Sequence, residues 1–407
     1  MATIWQDIRT GAWLTLSRMR GYSTLLLAFY LIASVLWIAL GHGLVDRNNK
    51  PLGTDFANVY AAGMLALDSK ADGAYDWPSE YAAEKAVFGP DVPFFGWLYP
   101  PQFLMVAAVL ALIPYGWALA LWMVSTLSAY IVTIRAILPP PIAALVALAF
   151  PAVFVNLGHG QNGFISAALL GGALLLLDRR PALAGVLIGL LAYKPQFGVV
   201  IPLVLLVTAR WTVVVAAMGT VLVTCGATLA IFGTKVWAAF AASTTLTRHV
   251  ILEAGGIGWE KIQSIFSAIR MWGGSIDTAY TVQGALALGV AVGLIWLWRS
   301  ETAFDLKASA LAVAALIVTP YVLDYDLMML AVAIVFYIRH GIERGFRDFE
   351  LSLLSIVWVT PFLSRLLAAT TGIPLGLIAQ IVLFVMALDR ARLEVAAPHG
   401  DARLAKA

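Results

Sequence analysis

Apolar runs long enough to cross a lipid bilayer recur along this chain of 407 residues, and they constrain its fold more than any other feature. About 20 apolar residues in a helix span the hydrocarbon core of a membrane. Charged residues make up only 12% of the sequence, about half of their usual share in soluble domains. So little polar surface excludes a soluble protein, and we predict an all-α polytopic membrane protein. The first run has no small-residue cleavage site, so we interpret it as an anchor rather than a removable signal.

The runs predict a membrane domain over residues 24–388 with about twelve transmembrane helices. The expected spans are roughly residues 24–42, 99–115, 117–135, 142–157, 162–177, 182–207, 211–232, 280–297, 308–322, 326–338, 351–371 and 373–388.

Basic residues in short loops predict the orientation, because they favour the cytoplasmic side of a membrane. Three basic clusters should be cytoplasmic, and an even number of spans satisfies this. The pair Arg179 and Arg180 would then face outward, in conflict with the rule. A re-entrant segment broken near Pro195 or Pro139–Pro141 would remove the conflict, because a half-helix can enter and leave on one face. The three clusters are Arg9, Arg18 and Arg20 in residues 1–23, Arg339, Arg344 and Arg347, and Arg390, Arg392, Arg403 and Lys406 in residues 389–407.

Two long loops, residues 43–98 and 233–279, should lie on the outer face, and connections of that length are usually functional. The first loop predicts one helix capped by Thr54 and a second helix that starts at Pro78 and stops at Gly89-Pro90. Aromatic residues along these helices and in the second loop predict short amphipathic helices at the membrane interface. A third outer connection has the sequence TPYVLDYD at residues 319–326.

Several classes of protein are excluded by what the chain contains. Its one cysteine, Cys225, rules out an intrachain disulfide and a CxxC metal site. The net charge of +3 is too small to indicate nucleic acid as a partner. There is no cluster with metal-ligand spacing and no Gly-rich phosphate loop between a strand and a helix. We therefore predict no metal, no cofactor and no nucleotide-sugar domain.

Short motifs follow the predicted spans in a fixed order: Gly53-Thr54-Asp55-Phe56, Tyr60-Ala61-Ala62-Gly63, Tyr99-Pro100-Pro101, Gly158-His159-Gly160-Gln161-Asn162, Ala184-Gly185, Lys194-Pro195-Gln196, and Thr319-Pro320-Tyr321 with Asp326. Each motif alone is weak. Their ordered set, over roughly residues 20–340, resembles glycosyltransferase family 87 of the GT-C superfamily of integral-membrane transferases.

The resemblance implies a GT-C type helical bundle in the bacterial cytoplasmic (inner) membrane. Family members resemble mycobacterial mannosyltransferases, which move a sugar from a polyprenyl-phosphate donor to a glycolipid acceptor outside the cytoplasm. For this chain it implies transfer of a hexose, with mannose as the first choice, to a lipid-linked or glycan acceptor. An Asp in the first outer loop is the family's expected base, here Asp55. The chain departs from some relatives at 324–326, where they carry a His, and this departure concerns donor and acceptor identity.

Asp55 also suits a general base by its place in the sequence, beside the first span. The acceptor hydroxyl must lose a proton as it attacks, which requires a carboxylate nearby. Direct displacement with a single base predicts inversion at the anomeric carbon. The competing interpretation is structural, since the helix dipole favours an Asp in a first helical turn.

Other polar residues are candidates for binding. A charge such as Lys194 in an apolar stretch is a functional hypothesis by default, and the alternative is a lysine that extends to the interface near a Pro kink. For His159 the alternative is a structural role, and for the charged residues of the loops it is an ordinary solvated charge. For the donor phosphate or carrier we expect Lys194, Gln196 and Arg248, and for sugar or acceptor Tyr60, Tyr99, His159, Gln161, Asp324 and Asp326.

Two other functions fit a polytopic protein. A flippase or transporter of a lipid-linked saccharide should show repeated halves and ionisable residues at the bilayer midplane. Here most acidic residues lie in the outer loops, and no internal repeat is visible. A scaffold subunit would use the outer loops for docking. Replacing Asp55 by Asn separates these functions from a transferase, which alone should lose its rate.

Overall fold

The apolar runs fold into α-helices that begin and end at capping residues, prolines and glycines. The computed structural model describes residues 2–396, and within them there are isolated β-bridges but no strand. This confirms the predicted all-α class. The helices are Ala2–Thr10 (α1), Leu16–Ala39 (α2), Phe56–Leu67 (α3), Trp77–Phe88 (α4), Pro101–Ala111 (α5), Tyr115–Ile137 (α6), Pro141–Leu148 (α7), Pro151–His159 (α8), Gly163–Leu176 (α9), Pro181–Leu190 (α10), Ile201–Val207 (α11), Trp211–Phe232 (α12), Thr234–Thr247 (α13), Ile265–Met271 (α14), Ile276–Arg299 (α15), Phe304–Ile317 (α16), Met328–Arg344 (α17), Glu350–Thr371 (α18) and Leu375–Ala396 (α19).

The caps of the helices in the first long loop agree only in part with the prediction. Helix α4 has Asp76 at its N-cap, with Pro78 in its first turn, and it ends at Gly89, whose φ of 97° favours glycine. The predicted cap of α3 at Thr54 is wrong. Asp55 occupies the cap position and makes no capping hydrogen bond.

Fewer helices than predicted are long enough to cross a membrane. In the described part of the chain six helices have the necessary length and apolar composition, and the bent pair α7 and α8 would make a seventh. The expected twelve came from counting every apolar run as a span. Several of these runs form shorter helices instead. Helix α5 packs against the equally short α3. Tyr115, at the start of α6, donates to the carbonyl of Leu52, just before α3. The chain therefore leaves α5 at the same end of the bundle at which it entered, and α5 is not a crossing.

The basic clusters meet at one end of the bundle, here named the termini end. Arg9 lies 2.7 Å from Asp348 and thereby joins α1 to the loop before α18. Arg347 in the same loop lies 2.8 Å from Asp389 near the end of α19. The sequence predicts all three clusters on one side of the membrane. Arg403 and Lys406 of the predicted tail lie outside the described residues.

A re-entrant segment explains how the pair Arg179 and Arg180 can lie at the termini end. Helix α9 starts at Gly163, which packs against the backbone of Tyr325, and runs to the termini end. Asp178, just after α9, lies 2.6 Å from Arg210, just after α11. The chain between them therefore enters as α10, turns at 193–196 and leaves as α11 on the same side. The break falls at Pro195, one of the two places that the sequence indicated.

Helix α3 differs from the amphipathic interfacial helix that its aromatic face predicted, because it is buried on most of its surface. Gly63 makes this possible, since its Cα lies against the backbone of Ala107 in α5, where any side chain would collide. The buried α3 holds its first residues in a fixed position at the end of the bundle opposite the termini, here named the site end.

Candidate functional site

A cavity of about 570 Å³ opens at the site end, and it brings together residues that are far apart in sequence. Its walls come from the start of α3, the segment before α5, the turn between α8 and α9, the tip of the re-entrant segment, the end of α13, the turn before α17 and the end of α18. The predicted site residues on these walls are Asp55, Tyr99, His159, Gln161, Lys194, Gln196, Arg248 and Asp324.

Asp55 is half-buried on the cavity wall and is oriented by a neutral partner. The Gln161 side-chain nitrogen donates to its carboxylate at 2.9 Å. The Gln161 oxygen in turn accepts from the hydroxyl of Tyr99 at 3.0 Å and from the backbone nitrogen of Asn162 at 3.2 Å. Because Asp55 makes no capping bond, a role in the helix start does not explain its orientation. Its charge remains available to a ligand in the cavity.

The turn at His159 packs directly on the start of α3. The His159 Nδ1 lies 2.8 Å from the Thr54 hydroxyl. Gly160 has a φ of 62°, and a Cβ there would lie 2.6 Å from that of Phe56. Glycine is thus required both by the backbone conformation and by the close approach. The Gly-flanked motif therefore holds the Asp55 carboxylate against Gln161.

Lys194, on the wall, forms a buried ion pair with Asp326, which lies behind it. The Lys194 ammonium lies 2.5 Å from Asp326, and both side chains are at most 5% exposed. Asp326 also accepts from the backbone nitrogen of Leu323 at 3.0 Å, and Lys194 lies 4.7 Å from the ring centroid of Tyr325. Asp326 is thus the partner that the Lys194 charge requires at this depth.

Two predicted sugar or acceptor residues do not line the cavity. Asp326 is turned towards Lys194 instead. Tyr60 is buried between helices, where its hydroxyl donates to the carbonyl of Ile113 at 3.1 Å and its ring packs edge-on against Tyr115. For Tyr60 the reason is the burial of α3, whose side chains fill the bundle rather than face the membrane surface.

Cations surround the cavity more fully than the sequence analysis proposed. Arg248 is exposed and lies 3.3 Å from Glu253, while Lys50, Lys261 and Arg365 also line the cavity. Burial lowers the pKa of the Lys261 ammonium, and the nearby Arg365 guanidinium lowers it further. An anion bound between these two side chains would favour the charged ammonium and so oppose that shift in pKa.

Arg365 was missed, although the sequence contained a signal for it. It is the only basic residue in the predicted span 351–371, and a charge inside a span is itself a functional hypothesis. The structure places it at the site end of α18, 3.8 Å from Asp324. This distance is too long for a hydrogen bond, so most of the guanidinium donors remain available to another anion.

A second pair of acidic residues, also missed, holds one wall in place. Glu80 accepts from the backbone nitrogen of Trp97 at 2.7 Å, and Glu84 accepts from that of Phe95 at 3.2 Å. Burial raises the pKa of both carboxyls, that of Glu84 to about 7. Their spacing of four residues on one face of α4 was the available signal.

No group of three or more His, Cys, Asp or Glu side chains within residues 2–396 could hold a metal ion. The cavity combines the carboxylates of Asp55 and Asp324 with several cations and aromatic side chains. Such a set can bind an anionic ligand and accept a proton.

Comparison with known proteins decides the family. Residues 97–320, more than half of the chain, match the family described as glycosyltransferase family 87. The chain belongs to glycosyltransferase family 87. This is a family of GT-C type membrane glycosyltransferases, so the protein is a multi-pass membrane glycosyltransferase. The match includes Tyr99, Gln161 and Lys194, but it begins after Asp55 and ends before Asp324. No curated protein and no solved structure matches the chain.

Proposed function

We propose that this glycosyltransferase moves a hexose, mannose first, from a polyprenyl-phosphate donor to a lipid-linked or glycan acceptor at the outer face of the bacterial inner membrane. The observation that carries the proposal is the Asp55 carboxylate, which lies in a cation-lined cavity of a family 87 chain and is hydrogen-bonded only to Gln161 within residues 2–396. A transferase that acts on a phospholipid-linked sugar needs this combination of groups.

The proposed reaction is a single displacement. The acceptor hydroxyl oxygen attacks the anomeric carbon, a new glycosidic bond forms, and the bond from that carbon to the phosphate oxygen breaks. The proton of the hydroxyl passes to Asp55, and the electron pair leaves with the polyprenyl phosphate. The anomeric configuration is inverted. Phosphate is already a good leaving group, so a strong general acid is not needed.

The cations suit the departing phosphate. Arg248, Lys261 and Arg365 lie on walls of the same cavity, and guanidinium groups bind phosphate through paired hydrogen bonds. Preorganised cations of this kind stabilise charge that develops on a leaving group. Lys194 is neutralised by Asp326, so we assign it to holding the 193–196 tip, where Gln196 remains available to the donor.

One side of the cavity suits an apolar carrier. Phe240, Ile251 and Ile257 line it near α13, together with the hydroxyls of Ser243 and Thr244. A polyprenyl chain would lie against the apolar residues. The hydroxyls of Ser243 and Thr244 donate to the carbonyls of Phe240 and Ala241 within α13, and their oxygens can accept from the hydroxyl groups of a sugar. This division of the wall supports a ligand that is part lipid and part saccharide.

Transfer by the purified protein in nanodiscs tests the proposal. The protein would receive a panel of polyprenyl-phosphate sugars, mannose first, and a lipid extract from its host. We expect wild-type transfer, and a loss of about 10²- to 10⁴-fold in the Asp55→Asn variant. Asparagine keeps an oxygen that accepts from Gln161, so the variant removes the base while the hydrogen bond remains.

The matched control is Asp91→Asn, since Asp91 is an exposed acidic residue of the same loop that does not line the cavity. It should retain wild-type transfer. Loss in both variants would show that the loop as a whole is required. Absence of transfer from every polyprenyl-phosphate donor, with intact protein, would refute the proposed donor.

A further inference from the structure

A second, apolar groove lies at the termini end, far from the cavity just described. It has a volume of about 810 Å³ between α1, α2, α7, α17 and α18. The distance between the cavity and the groove can be read along α17. The N-terminal turn of this helix adjoins Asp324 in the cavity, whereas Ile334 and Ile338 further along it line the groove. This distance along the helix is about 15–20 Å at 1.5 Å per residue. The groove is therefore independent of the proposed sugar site.

The groove is built for hydrocarbon rather than water. Two of its three serines bond within the protein: Ser352 donates to the carbonyl of Ile8 and accepts from Trp13, while Ser355 donates to the carbonyl of Leu351. Water needs two to four polar partners, and apolar cavities lacking them stay dry. A cavity of about 150 Å³ holds a benzene-sized molecule, so this groove has room for one or two long acyl chains.

The mouth of the groove carries a positive charge. Arg18 is exposed and lies one helical turn before Tyr22, which lines the groove. Its guanidinium donates to the carbonyl of Trp13 at 2.7 Å, and no carboxylate of residues 2–396 lies within ion-pair distance. Most of its donors thus remain available to an anion at the membrane surface.

The lipid-facing rim is open. Leu25 is 69% exposed on α2 and Ile356 is 55% exposed on α18, so a chain from the bilayer can enter between these two helices. We propose that the groove binds an anionic diacyl phospholipid, with an acyl chain along α2 and α18 and its phosphate on Arg18. Basic residues near a membrane surface attract anionic lipids, and the groove adds an apolar contact that a neutral lipid shares.

The test uses the full-length protein in nanodiscs that contain photoreactive phosphatidylglycerol or phosphatidylcholine, with the reactive group on the acyl chain. Mass spectrometry maps the cross-linked residues. We expect labelling of α2 near Leu25 and of α18 near Ile356. The anionic probe should label about fivefold more than the neutral one, the ratio that corresponds to about 1 kcal/mol from a single arginine.

Three variants separate the parts of the proposal. Ser355→Trp or Val359→Trp fills the groove and should abolish the labelling, whereas Leu222→Trp on the exposed face of α12 should leave it unchanged. Arg18→Gln should retain the labelling and lose the preference for the anionic probe. The readout does not depend on transferase activity.

Equal labelling by both probes in the wild type would overturn the assignment of the phosphate to Arg18. Unchanged labelling in both tryptophan variants would show ordinary contact with bulk lipid and overturn the site itself. Displacement of the probe by polyprenyl phosphate, but not by phosphatidylglycerol, would overturn the phospholipid assignment in favour of the carrier.

Discussion

Two regions at the site end carry aspartates, the start of α3 and the turn before α17, and they use the charge differently. Asp55 is half-buried and receives one hydrogen bond from the neutral Gln161. Asp326 is 1% exposed and is paired with Lys194 at 2.5 Å. The first carboxylate has a free charge that can accept a proton. The second neutralises a lysine and maintains the shape of the wall.

The comparison teaches that depth and partner, rather than residue type, separate a candidate base from a structural carboxylate. Both aspartates belong to motifs that pointed to function in the sequence. A polar neutral partner orients Asp55 without compensating its charge. An ammonium partner at the same distance would have stabilised the ionised carboxylate and made it a weaker base.

Breaking the buried ion pair should have the largest effect. Asp326→Asn leaves the Lys194 ammonium uncompensated, and we expect a loss of about 3–5 kcal/mol in the free energy of unfolding. The double variant Lys194→Met with Asp326→Leu replaces the pair by apolar groups and should recover most of that stability. Thermal unfolding in detergent measures both. An Asp326→Asn protein as stable as the wild type would remove the contrast with Asp55.

Removing the partner of Asp55 should have a smaller effect, on the rate of transfer and on stability. Gln161→Leu deletes the hydrogen bond that orients the carboxylate, and we expect transfer to fall about tenfold, equivalent to about 1.4 kcal/mol. The same change leaves the Tyr99 hydroxyl and the Asn162 backbone nitrogen without their acceptor, so we also expect a loss of about 1–3 kcal/mol in the free energy of unfolding. Transfer at the wild-type rate by the folded variant would show that this hydrogen bond does not orient Asp55 for the reaction.

The smallest effect should be the dependence of stability on pH that Glu84 causes. The folded protein keeps a proton on Glu84 up to about pH 7, whereas the unfolded chain releases it near the ordinary glutamate pKa of 4.5. Unfolding therefore becomes easier as the pH rises through that window, by the linkage of proton binding to stability. The unfolding temperature of the wild type should fall by a few degrees between pH 5 and pH 8.

Glu84→Gln cannot ionise and still offers an oxygen to the Phe95 backbone nitrogen, so its decrease over the same pH range should be smaller. Intrinsic fluorescence during heating measures the difference. Identical pH dependence in the two proteins would show that Glu84 does not control the stability of this wall.

Much of the fold could be predicted because membrane helices follow from local composition. The apolar runs, the proline break at Pro195 and the glycine stop at Gly89 all appear where the sequence indicated them. The number of crossings could not be predicted, since apolar content alone does not distinguish a span from a buried short helix. For α3 and α5 that distinction depends on the Gly63–Ala107 contact, which links distant segments.

The site was predictable only as a set of polar residues in apolar surroundings. That reasoning found Asp55, Gln161 and Lys194, which the fold brings to one cavity. It did not find that Lys194 is paired with Asp326, because the pairing depends on how the re-entrant tip meets the turn before α17. Arg365 approaches Asp324 for a similar reason, through the packing of α18.

Chemical rescue tests the role of Asp55 most directly. Asp55→Ala removes the carboxylate and leaves space in the open cavity, where added formate can serve as an external base. We predict that formate restores transfer in the Asp55→Ala protein with increasing concentration, while an equal concentration of chloride does not. The Asp326→Ala protein should gain nothing from formate. Transfer at the wild-type rate by Asp55→Ala without formate, from a monodisperse preparation, would contradict the proposal that Asp55 is the base.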